Sequence, residues 1–556
     1  MTNGSKIGIT GLGVVCAIGN NAGEVRTSLL GNRSGIASVR YLRTKHTGIP
    51  VGEVKLSNRE MAEELGLDPD HQYSRTALMG AISIRQALEQ AGTGPLEGRR
   101  VTVISGTTVG GMDLAENGDN PFAGNECGRC TREMVEYAGL RDVRCCTVST
   151  ACSSALNSII IGCEILQKDE ADIVIAGGSE ALSRFHLNGF NSLMILDKEV
   201  CRPFDATRVG LNLGEGAAFV VLQKNPDDAL AYVAGYGNRC DAFHQVASSE
   251  NGDGAFLAMS DSLSMAGLNP ADIDYINAHG TGTPDNDISE SRAIMRLFED
   301  AIPPVSSTKA FTGHTTSASG SIETVVCLIA MQDSFLPANL GWKNLIDGGI
   351  RPTTGAKGVS LEYVMCNSFG FGGNDSSIIF SAEQRELPYP RDTYETVTAA
   401  DVKVDNMESL QELRKFVSPI EGRRMGKLMK AAILSALKAL ETAGMESPDA
   451  IITATSHGML ETSNKFLNDI LANDEEMLSP TLFMQSTHNT IGSAIAIRTG
   501  CHGYNITYSQ EDESLDWALA DAEKKISSGR VRTVLVGLYD ETSDSVDART
   551  LILTRK

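Results

Sequence analysis

One block of segments occurs twice in this chain of 556 residues, and that duplication limits its fold more than any single motif does. The helical run SRTALMGAISIRQALEQAG, beginning at Ser74, has a counterpart in RMGKLMKAAILSALKALETAG, beginning at Arg424. VTVISGTTVGGMDLA after Arg100 is matched by AIITATSHGMLETS after Asp449, and ADIVIAGGSEALS after Glu170 by VRTVLVGLYDETS after Arg530. In both places an amphipathic helical period gives way to short apolar runs, the pattern of an α/β unit with a largely buried sheet. The C-terminal segment therefore reads as a degenerate copy of the segment that ends near Ser183.

Strand-like and helix-like runs alternate from residue 6 to about residue 382. KIGITGLGVV, a helix over Thr76–Ala91, RRVTVISGTT, a helix over Ser153–Gln167 and ADIVIAGGSE form a first series. From LAYVAGYGNRC a second series predicts helices at Gly254–Ala266, Asp287–Leu297 and Ser319–Gln332, with strands at Asp272–Ala278 and Ser376–Ser381. Residues 1–228 and 229–383 thus read as two α/β halves in tandem. Residues 384–405 (QRELPYPRDTYETVTAADVKVD) are Pro-containing, charged and aperiodic, which predicts a linker, and 406–556 form a separate α/β unit.

A net charge of −22 disfavours nonspecific binding to nucleic acid or to an anionic membrane surface, because either partner is repelled over most of the protein. Scattered basic residues such as Arg43, Lys45, Arg202 and Arg208 read singly as solvated surface charge. No run of 18 apolar residues occurs and the Gly-interrupted N-terminus is unlike a signal peptide, so a cytoplasmic protein without a membrane span is expected. The 12 cysteines, spread through a long chain, fit free thiols. Cys127-Gly-Arg-Cys130 is a lone CxxC without a second ligand pair, and no metal is expected.

Thr150-Ala-Cys152-Ser-Ser places one thiol between a strand-like run and a helix-like run. Free N–H groups and the positive end of the helix dipole stabilise a thiolate there, which predicts a lowered pKa and a nucleophilic role; the bland reading is a buried cysteine packed as a small hydrophobe. Three Gly-punctuated loops lie in the second series: Asn277-Ala-His279-Gly-Thr281-Gly-Thr283, Ser307-Thr-Lys309-Ala-Phe-Thr-Gly-His314, and Asn367-Ser-Phe369-Gly-Phe371-Gly-Gly373-Asn374. A single loop histidine is usually just a satisfied polar group. One helix-capped thiol together with two loop histidines, a lysine and a flexible glycine loop points to nucleophilic catalysis.

With these motifs the chain, from residue 3 to about 382, resembles the elongating Cys-His-His type of β-ketoacyl-acyl-carrier-protein synthase within the thiolase superfamily. The resemblance implies a duplicated five-layered αβαβα fold, usually in a homodimer or a pseudo-symmetric heterodimer with a chain-length-factor-like subunit. By matching motifs, Cys152 is the acyl-accepting nucleophile, and His279 and His314 assist malonyl decarboxylation. The N–H groups of Cys152 and Phe371 form an oxyanion hole, and Lys309 and Glu323 form a buried pair that orients the histidines. A purely structural salt bridge is the alternative for that pair. Thr281 and Thr283 bind the phosphopantetheine arm, Phe371 and its neighbour Phe369 line the gate of the acyl pocket, and Val109 lies at the pocket floor. No cofactor is implied beyond the phosphopantetheine carried by the partner acyl carrier protein, and the substrates are acyl and malonyl thioesters. The run Asn125-Glu-Cys-Gly-Arg129 resembles synthases of polyene or pigment-like polyketide lipids.

Residues 406–556 resemble the N-terminal half of a chain-length-factor-type domain, with Pro480-Thr-Leu-Phe-Met-Gln-Ser-Thr-His488-Asn489 as the most specific run. Ser509-Gln-Glu-Asp512 falls where the nucleophile stands in the first copy, with Asp512 replacing cysteine. A catalytically silent half is expected, packed on the rest of the chain or on another such half. Two other readings stay open: a coenzyme A-dependent thiolase-like enzyme, which usually has a second cysteine where this chain has Phe371, and a noncatalytic scaffold.

Overall fold

The structure, a computed structural model, describes residues 4–117, 126–405, 409–542 and 545–556. Its main sheet runs through 15 strands in the order Thr396–Val404, Val546–Arg555, Thr533–Glu541, Ala450–Ala454, Tyr504–Tyr508, Arg144–Val148, Val101–Gly106, Ile173–Glu180, Gly216–Lys224, Ile7–Cys16, Ala231–Cys240, Asn374–Ser381, Tyr363–Gly370, Tyr275–Asn277 and Val305–Ser306.

That order is one five-strand motif used three times. In each copy three strands run parallel and the next two antiparallel: Arg144–Val148, Val101–Gly106, Ile173–Glu180, then Gly216–Lys224 and Ile7–Cys16 in the first. Residues 229–383 repeat it with Val305–Ser306, Tyr275–Asn277, Tyr363–Gly370, Asn374–Ser381 and Ala231–Cys240. The appended unit repeats it with Tyr504–Tyr508, Ala450–Ala454, Thr533–Glu541, Val546–Arg555 and Thr396–Val404. The last strand corrects the expected linker. Thr396–Val404 is the outer edge of the sheet, and it reads as a linker because only Ala400 and Val404 of its nine residues are buried.

Between the sheets of the first two copies, the helices Ser154–Gln167 and Ser319–Asp333 pack on each other. Arg75–Ala91 and Asp253–Ala266 cover the outer faces, which makes the five layers of a thiolase-type fold. The appended unit has one outer helix, Lys427–Ala443, and one counterpart of the central helix, Ser514–Ser527. It is half of such a fold, and it packs on the rest of the chain.

The junction has pseudo-two-fold geometry. Tyr508 pairs antiparallel with Val148, Ser149 N–H donates to Thr507 O (2.9 Å) and Ser509 N–H donates to Thr147 O (2.9 Å). Trp517 lies under the Arg144 guanidinium at 3.6 Å and shares one apolar cluster with Ile160 and Ile322 of the central helices. Charge complementarity reinforces the contact: Glu164 accepts from Lys525 Nζ at 2.7 Å and from Arg530 at 2.5 Å, and Glu170 accepts from Lys524 Nζ at 2.6 Å.

Burial alone would raise the Glu164 carboxyl, but Lys525 and Arg530 outweigh it and hold it down to about 2, below its ordinary 4.5. A depressed carboxylate pKa contributes stability that is complete above the unfolded value and is lost as pH falls toward the folded value. Acid should therefore loosen the junction between pH 4.5 and pH 2. Lys525→Met with Arg530→Met leaves a buried charge unpaired and should destabilise the protein by about 3–5 kcal/mol at neutral pH, with the deficit shrinking as pH falls and Glu164 protonates. Thermal unfolding across pH 3–8 checks both signs.

Candidate active site

Each copy of the motif makes a sharp turn before its central helix, at one non-glycine residue in left-handed backbone: Ala151 (φ 51°), Thr316 (φ 47°) and Glu511 (φ 48°). In the first copy Ser154 Oγ accepts from Thr150 N–H at 2.9 Å and donates to Ala151 O at 2.6 Å. Ser514 does the same for Gln510 and Glu511 at 2.8 and 2.7 Å. Backbone in this sparsely populated region persists only where the surrounding packing and hydrogen bonds hold it. The turn places Cys152 in the first copy and Asp512 at the equivalent position in the appended unit.

Gly370 approaches the Cys152 turn so closely that a Cβ there would stand 2.8 Å from Thr150 O. That approach brings the Phe371 loop over the thiol, and the N–H groups of Phe371 and of Cys152 itself face Sγ. His314 Nε2 lies 3.1 Å from Sγ, and its Nδ1 is 2.9 Å from Ser319 Oγ. Its backbone is pinned to Asn212 O at 2.7 Å. The His279 ring meets His314 edge-on at 5.2 Å. Glu290 fixes the His279 loop by accepting from His279 N–H (2.8 Å) and Gly280 N–H (2.7 Å).

Lys309 and Glu323 are both buried and directly bonded to each other, with Lys309 Nζ donating to Glu323 Oε1. Neither side chain bonds a histidine, so any effect on the imidazoles is electrostatic. Burial first, then the Lys309 charge, lowers His279 and His314 well below the ordinary histidine value, and both rings are neutral at physiological pH. Burial raises Glu323 to about 7 against the pull of Lys309.

The thiol corrects the expectation from the helix terminus. Burial pushes Cys152 up to about 11, against the Lys309 charge and the Phe371 N–H. The resting group is a thiol next to a neutral imidazole, and a thiolate forms only as the proton leaves.

A cavity of about 450 Å³ opens on these groups, and Cys152, His279, His314, Thr281, Thr283, Phe369 and Phe371 all line it. The Thr281 and Thr283 hydroxyls stand 2.8 Å apart on its wall. Phe369 stacks at a tilt 6.0 Å from His279. Phe190, which the sequence did not single out, closes the inner wall by stacking on Phe371 at 5.6 Å and meeting Phe483 of the appended unit at 5.3 Å. Val109 is not on the cavity lining; it sits in the apolar cluster with Phe190, Phe466 and Phe483. Met484 of the appended unit reaches the lining.

Among the described residues, Cys152, His279 and His314 are the one group of metal-ligand-type side chains found close together, with ligand atoms within 4.8 Å of one another. Cys127 and Cys130 are buried on the Cys127–Tyr137 helix and belong to no such group. Asn125 lies outside the described residues.

Comparison with known proteins agrees with this geometry. A family model of the β-ketoacyl synthase N-terminal domain matches residues 4–228, and its C-terminal domain matches 230–343. A second N-terminal-domain model matches 398–548. The 3-oxoacyl-[acyl-carrier-protein] synthase 2 of Vibrio cholerae serotype O1 is 31% identical over 425 residues, covering 67% of this chain and 98% of that protein. This chain belongs to the β-ketoacyl synthase family.

Among solved structures of the family, the ishigamide ketosynthase/chain length factor is 28% identical, with a TM-score of 0.62 over 68% of this chain and 99% of that one. PfaC keto synthase-chain length factor matches in fold over 99% of this chain and 78% of that one, with a TM-score of 0.80 at 16% identity. No helix among the described residues is long and apolar enough to cross a membrane.

A thiol raised to about 11 gains thiolate tenfold per pH unit throughout the neutral range. Alkylation of Cys152 by iodoacetamide, followed by peptide mass, should therefore climb between pH 7 and pH 9 without a plateau; a plateau near pH 7 would mean that the helix terminus prevails over burial.

Proposed function

We propose that Cys152 accepts an acyl group from an acyl carrier protein and that the enzyme then condenses it with malonyl carrier protein, releasing carbon dioxide and a β-ketoacyl carrier product. The observation that carries this is the convergence of Cys152 Sγ, two neutral imidazoles and the Phe371 and Cys152 N–H groups on one cavity.

In acyl transfer, Sγ attacks the thioester carbon, the carbonyl oxygen develops charge toward the two backbone N–H groups, and the thiol proton passes by way of His314 Nε2 to the departing carrier thiolate. In condensation, the malonyl carboxylate leaves as carbon dioxide and charge appears on the malonyl thioester oxygen. The neutral imidazole N–H of His279 stabilises that enolate, and so does that of His314 once its proton sits on Nε2 and Ser319 Oγ donates to its Nδ1. The enolate carbon attacks the acyl carbonyl, the Cys152–acyl bond breaks, and a proton from solvent restores the thiol.

The phosphopantetheine arm belongs to the carrier and enters as substrate, with the Thr281 and Thr283 hydroxyls available to its amides. Arg208, whose guanidinium donates to Thr283 O and Pro284 O and pairs with the buried Asp287 at 3.6 Å, braces the loop that carries those hydroxyls. A thiolase reaction is less well supported, because Cys152 is the single cysteine on the cavity lining. The appended unit, with Asp512 at the nucleophile position, serves as a silent chain-length-factor-like half in cis. A pathway in fatty acid or polyene-type lipid synthesis and a cytoplasmic location fit this reading.

Intact mass after incubation with a panel of acylated carrier proteins should show an adduct on the wild type and none on Cys152→Ala. His279→Ala should still load acyl groups while decarboxylation falls by about 10²–10³-fold. Loss of loading and decarboxylation together would remove the histidine from the proposed role.

Phe190→Ala should join the cavity to the space around Val109, Phe466 and Phe483 and raise the longest acyl chain accepted. An unchanged product profile would place the chain-length limit elsewhere.

A further inference from the structure

The appended unit touches the catalytic loop itself. Asn489 Nδ2 donates to Phe371 O at 2.9 Å and to Asn374 Oδ1 at 2.7 Å. The orientation of this amide follows from its neighbours. Asn374 Nδ2 donates to Asn505 O at 3.1 Å, so Asn374 turns its oxygen to Asn489, and both groups facing Asn489 Nδ2 are acceptors.

One consequence is an unpaired Asn489 Oδ1, buried beside an equally unpaired Ser493 Oγ. Ser493 Oγ lies 2.1 Å from the point where a Cβ on Gly372 would stand, so only glycine fits there. Within the loop, Gly372 N–H donates to Gln245 O (2.8 Å) and Gly373 N–H to Gly370 O (3.0 Å). Both glycines are in left-handed backbone, at φ 86° and 75°, which glycine adopts without steric cost.

The amide of Asn489 is thus the donor by which the appended unit holds the Phe371 carbonyl, and with it the loop that stands over Cys152.

The same unit reaches the nucleophile turn. Asn505 N–H donates to Asn238 Oδ1 at 3.0 Å, Asn238 Nδ2 to Asn157 Oδ1 at 2.8 Å, and Asn157 Nδ2 to Thr150 Oγ1 at 2.9 Å. All of these asparagines are buried.

We infer that Asn489 is a positioning residue of the synthase, latching the Phe371 loop over Cys152 so that the silent unit governs entry of the acyl thioester. The link to acyl entry rests on the condensing function proposed above; the latch itself does not. It is tested in the full chain by the rate of iodoacetamide alkylation at Cys152, resolved by peptide mass, with the partly exposed Cys145 as internal reference. Asn489→Ala should alkylate about tenfold faster at Cys152 with Cys145 unchanged, and its acyl-loading KM and kcat should shift unequally.

Asn489→Asp keeps the volume and removes the donors, so it should behave alike and decides the matter if the alanine variant does not fold. Cys152 rates within twofold of wild type in the folded variants would overturn the latch. A wild type that forms no acyl adduct would overturn the condensing function and leave the alkylation comparison standing.

Discussion

The catalytic cavity depends on how closely two helix N-termini can approach between two sheets. A Cβ on Gly320 would stand 2.8 Å from Leu156 Cβ, one on Gly106 would stand 2.5 Å from Ala155 N, and one on Gly178 would stand 2.8 Å from Ala155 Cβ. Gly320 therefore lets the Ser154–Gln167 and Ser319–Asp333 helices touch at their first turns, and Gly106 and Gly178 let the first of them sit close against its own sheet behind the Cys152 turn. Close packing of this kind has no slack, and a single added methyl would separate the turn from the loop that carries His314. Cys152, His314 and the Phe371 N–H converge because the backbones that hold them are in contact.

The same packing explains the ionisation state of the site. A thiol and two imidazoles this deeply buried pay for desolvation in their charged forms, and one lysine already paired with Glu323 does not reverse that balance. Neutral imidazoles are poor counter-ions for a resting thiolate but good N–H donors to an enolate. The site is arranged for charge that develops during reaction, not for charge held beforehand.

The residues that carry chemistry were legible because each sits in a short run whose small neighbours have few other uses: Cys152 before a helical period, and His279, His314 and Phe371 among glycines. The tandem α/β halves were legible from periodicity, and the appended copy from its order of segments. Thr396–Val404 was hidden because an edge strand with one solvated face alternates like a charged linker. The Cys152 pKa was misjudged because a helix terminus is visible in sequence and the depth of its burial is not. Asn157, Asn238 and Asn505 carry no signal in the sequence, and Asn374 and Asn489 stand out only as the last residues of longer runs. Each is an ordinary polar residue until tertiary structure pairs it with the next, and the chain of amides exists only where three copies of the motif meet.

That meeting point also shows what the appended unit contributes. The first copy takes from it a strand edge at Tyr508, cations at Lys525 and Arg530, and aromatic contacts at Phe466 and Phe483, and the second copy takes amides at Asn489 and Asn505. Tyr508 and Asn505 lie on one strand of the unit, and the others on the helices and loops that flank it. On its other faces the unit is polar: Asp516 and Glu523 are exposed on the Ser514–Ser527 helix, and the ion pairs Arg549–Asp401 and Lys403–Asp547 cross the outer edge strands, which discourages further strand pairing there.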